Sequence, residues 1–122
     1  MEKQPDIEIY LKECPMDKLV EWLTSLFGKI ESPLEAGDSE VFHSSIGPII
    51  ITPTIEDSEF ISVWFNTPNS PWLTDVECAR QASIDLKCIV RCNPGQHFPE
   101  VPAQSDLVLE IENKVESLVV WE

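Results

Sequence analysis

Ile7, Ile9 and Leu11 alternate with Glu8, Tyr10 and Lys12, the period-two pattern of a strand with one buried face. The pattern changes period after Pro15, a residue tolerated at the first position of a helix. Met16, Leu19, Val20, Leu23 and Leu26 then fall on one helical stripe, with Trp22 and Phe27 at its margin and Gly28 as the stop. Residues 31–40 read as a polar loop containing Pro33, Gly37 and Asp38. Three strands are expected next, over 41–44, 49–52 and 60–65. Ile49, Ile50 and Ile51 are continuously apolar, as in a strand covered on both faces. Pro48 and Pro53 bracket that strand, which argues for a short strand or one at a sheet edge.

A turn-rich segment, 66–71, leads to a second helix. Thr74 with Glu77 three residues on forms a capping box. Val76, Ala79, Ala82, Ser83 and Leu86 give this helix a face of mostly small residues that can approach a sheet closely. Residues 88–92 make another strand, ended by Asn93, Pro94 and Gly95. With Asn113 and Lys114 as a two-residue turn, the carboxy-terminal hairpin sets Leu109 opposite Leu118 and Leu107 opposite Val120. The expected fold is a single α+β domain over 1–122. Two helices pack on a mainly antiparallel sheet of about six to seven strands in the order βαβββαβββ. With both helices on one face, the other face is left as a surface for a partner or for a second copy.

Charge narrows the function classes. The 122 residues carry 22 acidic and 8 basic side chains, a formal charge of -14. The sum is -6 over residues 1–40, -4 over 41–80 and -4 over 81–122, so no acidic tail carries it. A nucleic-acid partner is excluded, because phosphate contacts require clustered Lys and Arg. No stretch approaches the ~20 apolar residues of a membrane span. The polar start, Met1 to Asp6, has no signal-peptide character. The expectation is a cytoplasmic protein whose four cysteines are reduced thiols, with no pairing selected by their spacing.

The candidate chemistry is sparse. Cys14 precedes the first helix, where the dipole favours a thiolate, but Glu13 and Asp17 oppose that effect. Cys78, Cys88, Cys92 and His97 offer metal-ligand types. On one strand, however, Cys88 and Cys92 lie roughly 13 Å apart, too far to share an ion. His43 and His97 can be paired on paper with many carboxylates. No phosphate-cradling glycine loop, nucleophile elbow or His-Glu-x-x-His motif occurs. No catalytic residue, metal site or cofactor is therefore assigned.

Two proline-rich loops are better candidates for binding. Five of the ten prolines fall in 66–73, which contains Trp72, and 93–104, which contains His97 and Phe98. Proline reduces the entropy a loop loses on binding, and exposed aromatics there would anchor a partner. The opposing expectation is that Trp72 and Phe98 turn inward and pin their loops. Trp121 lies on the hairpin face away from Leu118 and Val120, and if the helices cover only one sheet face, Trp64 or Trp121 is left partly exposed, unless a second packing layer or a homodimer buries it.

These features point to a non-enzymatic acidic binding protein that engages a basic protein partner. An immunity or antitoxin-like role suits the size and charge. The alternatives are a small-ligand binder or small enzyme with a pocket near the 93–104 loop, and a DNA mimic. The last is disfavoured because Lys12, Lys18, Lys29, Lys87, Arg91 and Lys114 interrupt the acidic surface.

Overall fold

The computed structural model describes residues 2–31, 33–53 and 59–121. The elements are β1 (Ile7–Lys12), α1 (Met16–Phe27), β2 (Leu34–Ala36), β3 (Ser39–Ser44), β4 (Gly47–Pro53), β5 (Phe60–Phe65), α2 (Asp75–Leu86), β6 (Val90–Cys92), a 3-10 turn (Gly95–His97), β7 (Leu107–Glu112) and β8 (Val115–Val120). The strands form one antiparallel sheet in the spatial order β2-β3-β4-β5-β1-β6-β7-β8. The α+β class and the two helices on an antiparallel sheet are as expected. The strand number is eight rather than six to seven, and the order is βαββββαβββ.

The additional strand, β2, lies inside the expected polar loop. All three of its residues are exposed, so hydrophobic patterning carries no trace of it. It exists through backbone pairing with β3, with Leu34 opposite Val41, and Gly37 at φ 65 in the intervening turn. The strand carrying Ile49 to Ile51 is also not at an edge. β4 runs seven residues between β3 and β5. Its two prolines sit at its ends, where missing donors cost little of the ladder. Ile49 and Ile51 are buried while Ile50 is half-exposed, so only one face of this strand is fully covered.

That covered face is the helix side of the sheet. Ile7, Ile9 and Leu11 of β1, Ile49 and Ile51 of β4, Val63 and Phe65 of β5, Val90 of β6, and Leu109 and Ile111 of β7 join one core cluster with α1 and α2. α2 packs with Val76, Ala79, Ala82, Ser83 and Leu86 buried, as its small-residue stripe predicts. α1 buries Leu19, Trp22 and Leu23. Met16 is 39% exposed, so the buried stripe is rotated toward Trp22. Two side chains of α1 tie it to α2. Trp22 Nε1 donates to Asp85 (2.9 Å), and Lys18 Nζ donates to the Leu86 carbonyl at the negative end of α2 (3.0 Å). The caps follow the sequence: Thr74 Oγ1 accepts from the Glu77 N–H at 3.3 Å, and the Gly28 N–H donates to the Thr24 carbonyl at 2.9 Å. The β7–β8 hairpin has the expected register, with Leu109 opposite Leu118 and Leu107 opposite Val120. Among the described residues no helix is long and apolar enough to cross a membrane.

Candidate functional site

The face of the sheet away from the helices carries Glu8, Tyr10 and Lys12 of β1, Phe60, Ser62 and Trp64 of β5, and Arg91 of β6, by strand alternation, and of these Phe60 and Ser62 are themselves buried. Along this face β6 is only three residues long. The amino-terminal half of β1 therefore lacks a ladder partner on that side. The Asp75 carboxylate, at the first turn of α2, fills the gap: its Oδ1 accepts the Glu8 backbone N–H at 2.9 Å. A buried strand N–H needs such an acceptor. The Asp75 N–H in turn donates to Gln4 Oε1 at 2.7 Å.

This substitution for a strand creates a recess of about 240 Å³ lined by Gln4, Asp6, Glu8, Tyr10, Asp75 and Asn93. Three carboxylates converge on it. Asp6 accepts from Trp64 Nε1 at 2.6 Å. Glu8 accepts from the Tyr10 hydroxyl at 3.0 Å and from Ser62 Oγ at 2.7 Å. Neutral donors thus hold the carboxylates in place, and among the described residues no Lys or Arg forms an ion pair with any of the three. Burial raises the Asp75 carboxyl to about 6, and the nearby Glu8 and Asp6 charges add to the shift, against the lowering effect of its bonds to Glu8 N–H and Gln4. Burial, followed by the Glu8 charge, pushes Tyr10 up to about 12, so it stays a hydrogen-bond donor at neutral pH.

Beside the recess lies an aromatic cluster. Trp121 follows β8, and its ring centroid is 5.0 Å from that of Tyr10 and 5.1 Å from that of Phe60. β8 is three strands from β1, roughly 14 Å in a flat sheet. The hairpin must therefore curl toward this face for the rings to meet. The Arg91 guanidinium sits 4.6 Å from the Phe60 centroid and 4.9 Å from that of Trp121, and its Nε donates to Glu110 at 2.9 Å. The cluster thus already accommodates one guanidinium between aromatic faces.

The other expected binding residues are placed elsewhere. Trp72 is 4% exposed. It packs against Trp22, Phe27 and Phe65, at centroid separations of 6.1, 6.1 and 5.1 Å, and its Nε1 donates to Gln81 at 2.8 Å. It is a core residue holding the 66–73 loop, not a surface anchor, because an indole with its N–H satisfied gains more by burial than by exposure. His97 is half-buried, with Nε2 3.0 Å from Thr74 Oγ1, which ties the 93–104 loop to the start of α2. Phe98 is half-buried and packs against the core. Neither side chain lines the groove of about 380 Å³ at that loop, whose walls are Asn93, Pro94, Gly95, Gln96, Pro99, Val101, Pro102, Ala103, Ser105 and Leu107. Those walls hold no carboxylate, imidazole or thiol for acid–base or nucleophilic chemistry. Of the four expected residues, only Trp121 lies beside the recess. Asp6, Glu8 and Asp75 were missed by sequence reasoning. Strand alternation does put Glu8 and Tyr10 on one face, but nothing local to Asp75 points to β1. The chain matches no family model, no curated protein and no solved structure.

Proposed function

We propose that this chain is a non-enzymatic binding domain for a basic protein, with the recess on the sheet face away from the helices receiving a Lys or Arg side chain of the partner. The observation that carries the reading is the convergence of Asp6, Glu8 and Asp75 on one recess with no cation paired to them among the described residues. A partner's cation would relieve the mutual repulsion of these carboxylates, and the -14 net charge would steer its approach. Tyr10, Trp64 and Trp121 flank the recess with aromatic surface of the kind that dominates interface energetics. An immunity or antitoxin-like role, neutralising a basic toxin, is the specific form this reading takes. Homodimerisation through the same face fits less well. A two-fold interface is formed from the same patch on both subunits, so a dimer centred here would bring identical acidic recesses together.

The test is calorimetric titration with an arginine- and lysine-rich peptide. The wild type is compared with Asp6→Asn/Glu8→Gln and with a charge-matched control, Glu35→Gln/Asp38→Asn, on the exposed β2–β3 hairpin. The recess variant should lose about tenfold in affinity, or ~1.4 kcal/mol. The control should change much less. Equal losses would reduce the interaction to net charge, and no binding by the wild type would overturn the reading. Binding should also tighten as pH rises through about 6, where Asp75 ionises.

A further inference from the structure

Cys14 and Cys88, unrelated by sequence spacing, meet at the end of one ladder. β1 pairs with β6 through Leu11 and Val90, and the Lys12 N–H donates to the Ile89 carbonyl at 2.9 Å. One residue further, Glu13 adopts φ 50 and turns the chain toward α1. On the other side, Lys87 adopts φ 54 as it leaves α2. These two turns leave Cys14 and Cys88 just beyond the last rung, close enough for each thiol to influence the ionisation of the other, while Cys14 Sγ donates to the Pro15 carbonyl at 3.8 Å. Continuing the β1–β6 register sets Cys88 opposite Glu13, one position from Cys14, and such a diagonal pair falls in the upper part of the Cα separations a disulfide spans. Both residues are partly exposed, whereas Cys78 and Cys92 are buried. Cys88 also lines an open groove of about 680 Å³, together with Lys12, Glu13, Lys87 and Lys114, and Cys14, which does not line it, is itself partly exposed.

We propose that Cys14 and Cys88 form a dithiol site that low-molecular-weight disulfides oxidise to an intramolecular disulfide. The Cys14 thiolate attacks one sulfur of the small disulfide, forming a mixed disulfide and expelling one thiolate, which takes up a proton. The Cys88 thiol then loses its proton to solvent and attacks Cys14 Sγ, forming the Cys14–Cys88 bond and expelling the second thiolate, which is protonated in turn. Two protein thiols are oxidised and one small disulfide is reduced to two thiols. The order of attack follows the local chemistry. The neighbouring Cys88 thiol and the charge of Lys18 lower the Cys14 thiol, against its own burial and the Asp17 charge, while the Cys14 sulfur and burial raise Cys88. Burial raises Cys78 and Cys92 as well, which leaves them out of the exchange.

The product links the segment entering α1 to the segment leaving α2, across 74 positions of the chain, so it constrains the unfolded state far more than the folded one.

The experiment incubates the intact protein with oxidised glutathione and follows it by mass spectrometry and thiol titration. The expected end point is loss of two of the four thiols and of two hydrogens of mass, with no glutathione retained and Cys14 cross-linked to Cys88 in the peptide map. The thermal midpoint should rise by about 8–16 °C. Cys88→Ser should trap glutathione on Cys14, while Cys14→Ser should react far more slowly; circular dichroism identifies either variant as folded. A stable adduct on the wild type, a cross-link involving Cys78 or Cys92, or no reaction of the wild type would each overturn the assignment.

Discussion

Asp75 carries opposing demands. It supplies the acceptor that β1 lacks at Glu8 and begins α2, yet it does so as a buried carboxylate beside two others. Its pKa is raised in the fold, so it binds its proton more tightly in the native state than in the unfolded chain. Its stabilising contribution is present below about pH 4 and is lost as pH rises through about 6. Asp75→Asn keeps an oxygen acceptor without the charge. The variant should match the wild type near pH 4 and exceed its stability at pH 7 by on the order of 1–2 kcal/mol. Denaturation curves that remain parallel across this range would refute the account. Trp72 is the opposite case, a large side chain without electrostatic conflict. Trp72→Ala should cost about 3–5 kcal/mol in chemical denaturation, since it leaves Trp22, Phe27 and Phe65 around a cavity.

Among the elements, the β7–β8 hairpin matters most for the site because it delivers Trp121 to the aromatic cluster. Its turn residues, Asn113 and Lys114, both have positive φ, 49 and 66. The position held by Lys114 favours glycine. Lys114→Gly should therefore stabilise the protein by about 0.5–1 kcal/mol, read as a higher denaturation midpoint with an unchanged far-ultraviolet spectrum. A loss of stability would mean that the lysine side chain makes a contact worth more than the backbone strain. The elements also differ in how plainly the sequence announces them. α1, α2, β1 and the hairpin register follow from periodicity, caps and turn residues, because their side chains divide cleanly between core and solvent. β2 does not: Leu34, Glu35 and Ala36 are all exposed, and what makes them a strand is a backbone ladder that side-chain patterning does not record.

For the whole molecule, the -14 charge acts against the compact state. The described ion pairs, Lys12–Glu59, Arg80–Glu116 and Arg91–Glu110, are partly exposed, and such pairs contribute little. Self-repulsion should therefore dominate, and screening it should help. Raising sodium chloride from low concentration to about 0.5 M at pH 7 should increase the thermal midpoint. A decrease would show that the ion pairs outweigh the net field. The same salt should weaken capture of a basic peptide, so stability and binding are expected to move in opposite directions.

By itself, the sequence determined what short-range physics encodes. Alternation made β1 a one-faced strand, the Thr74 cap started α2, and Asn113 and Lys114 set the hairpin register. Local pattern also placed Glu8 with Tyr10 on one face. Only the tertiary structure decided which distant groups meet. The short β6 opened the gap that brings Asp75 to Glu8, the curl of the sheet carried Trp121 to Tyr10 and Phe60, and the β1–β6 ladder brought Cys14 beside Cys88. Such meetings depend on strand order and sheet curvature, which are settled by long-range packing and leave no periodic trace in the chain.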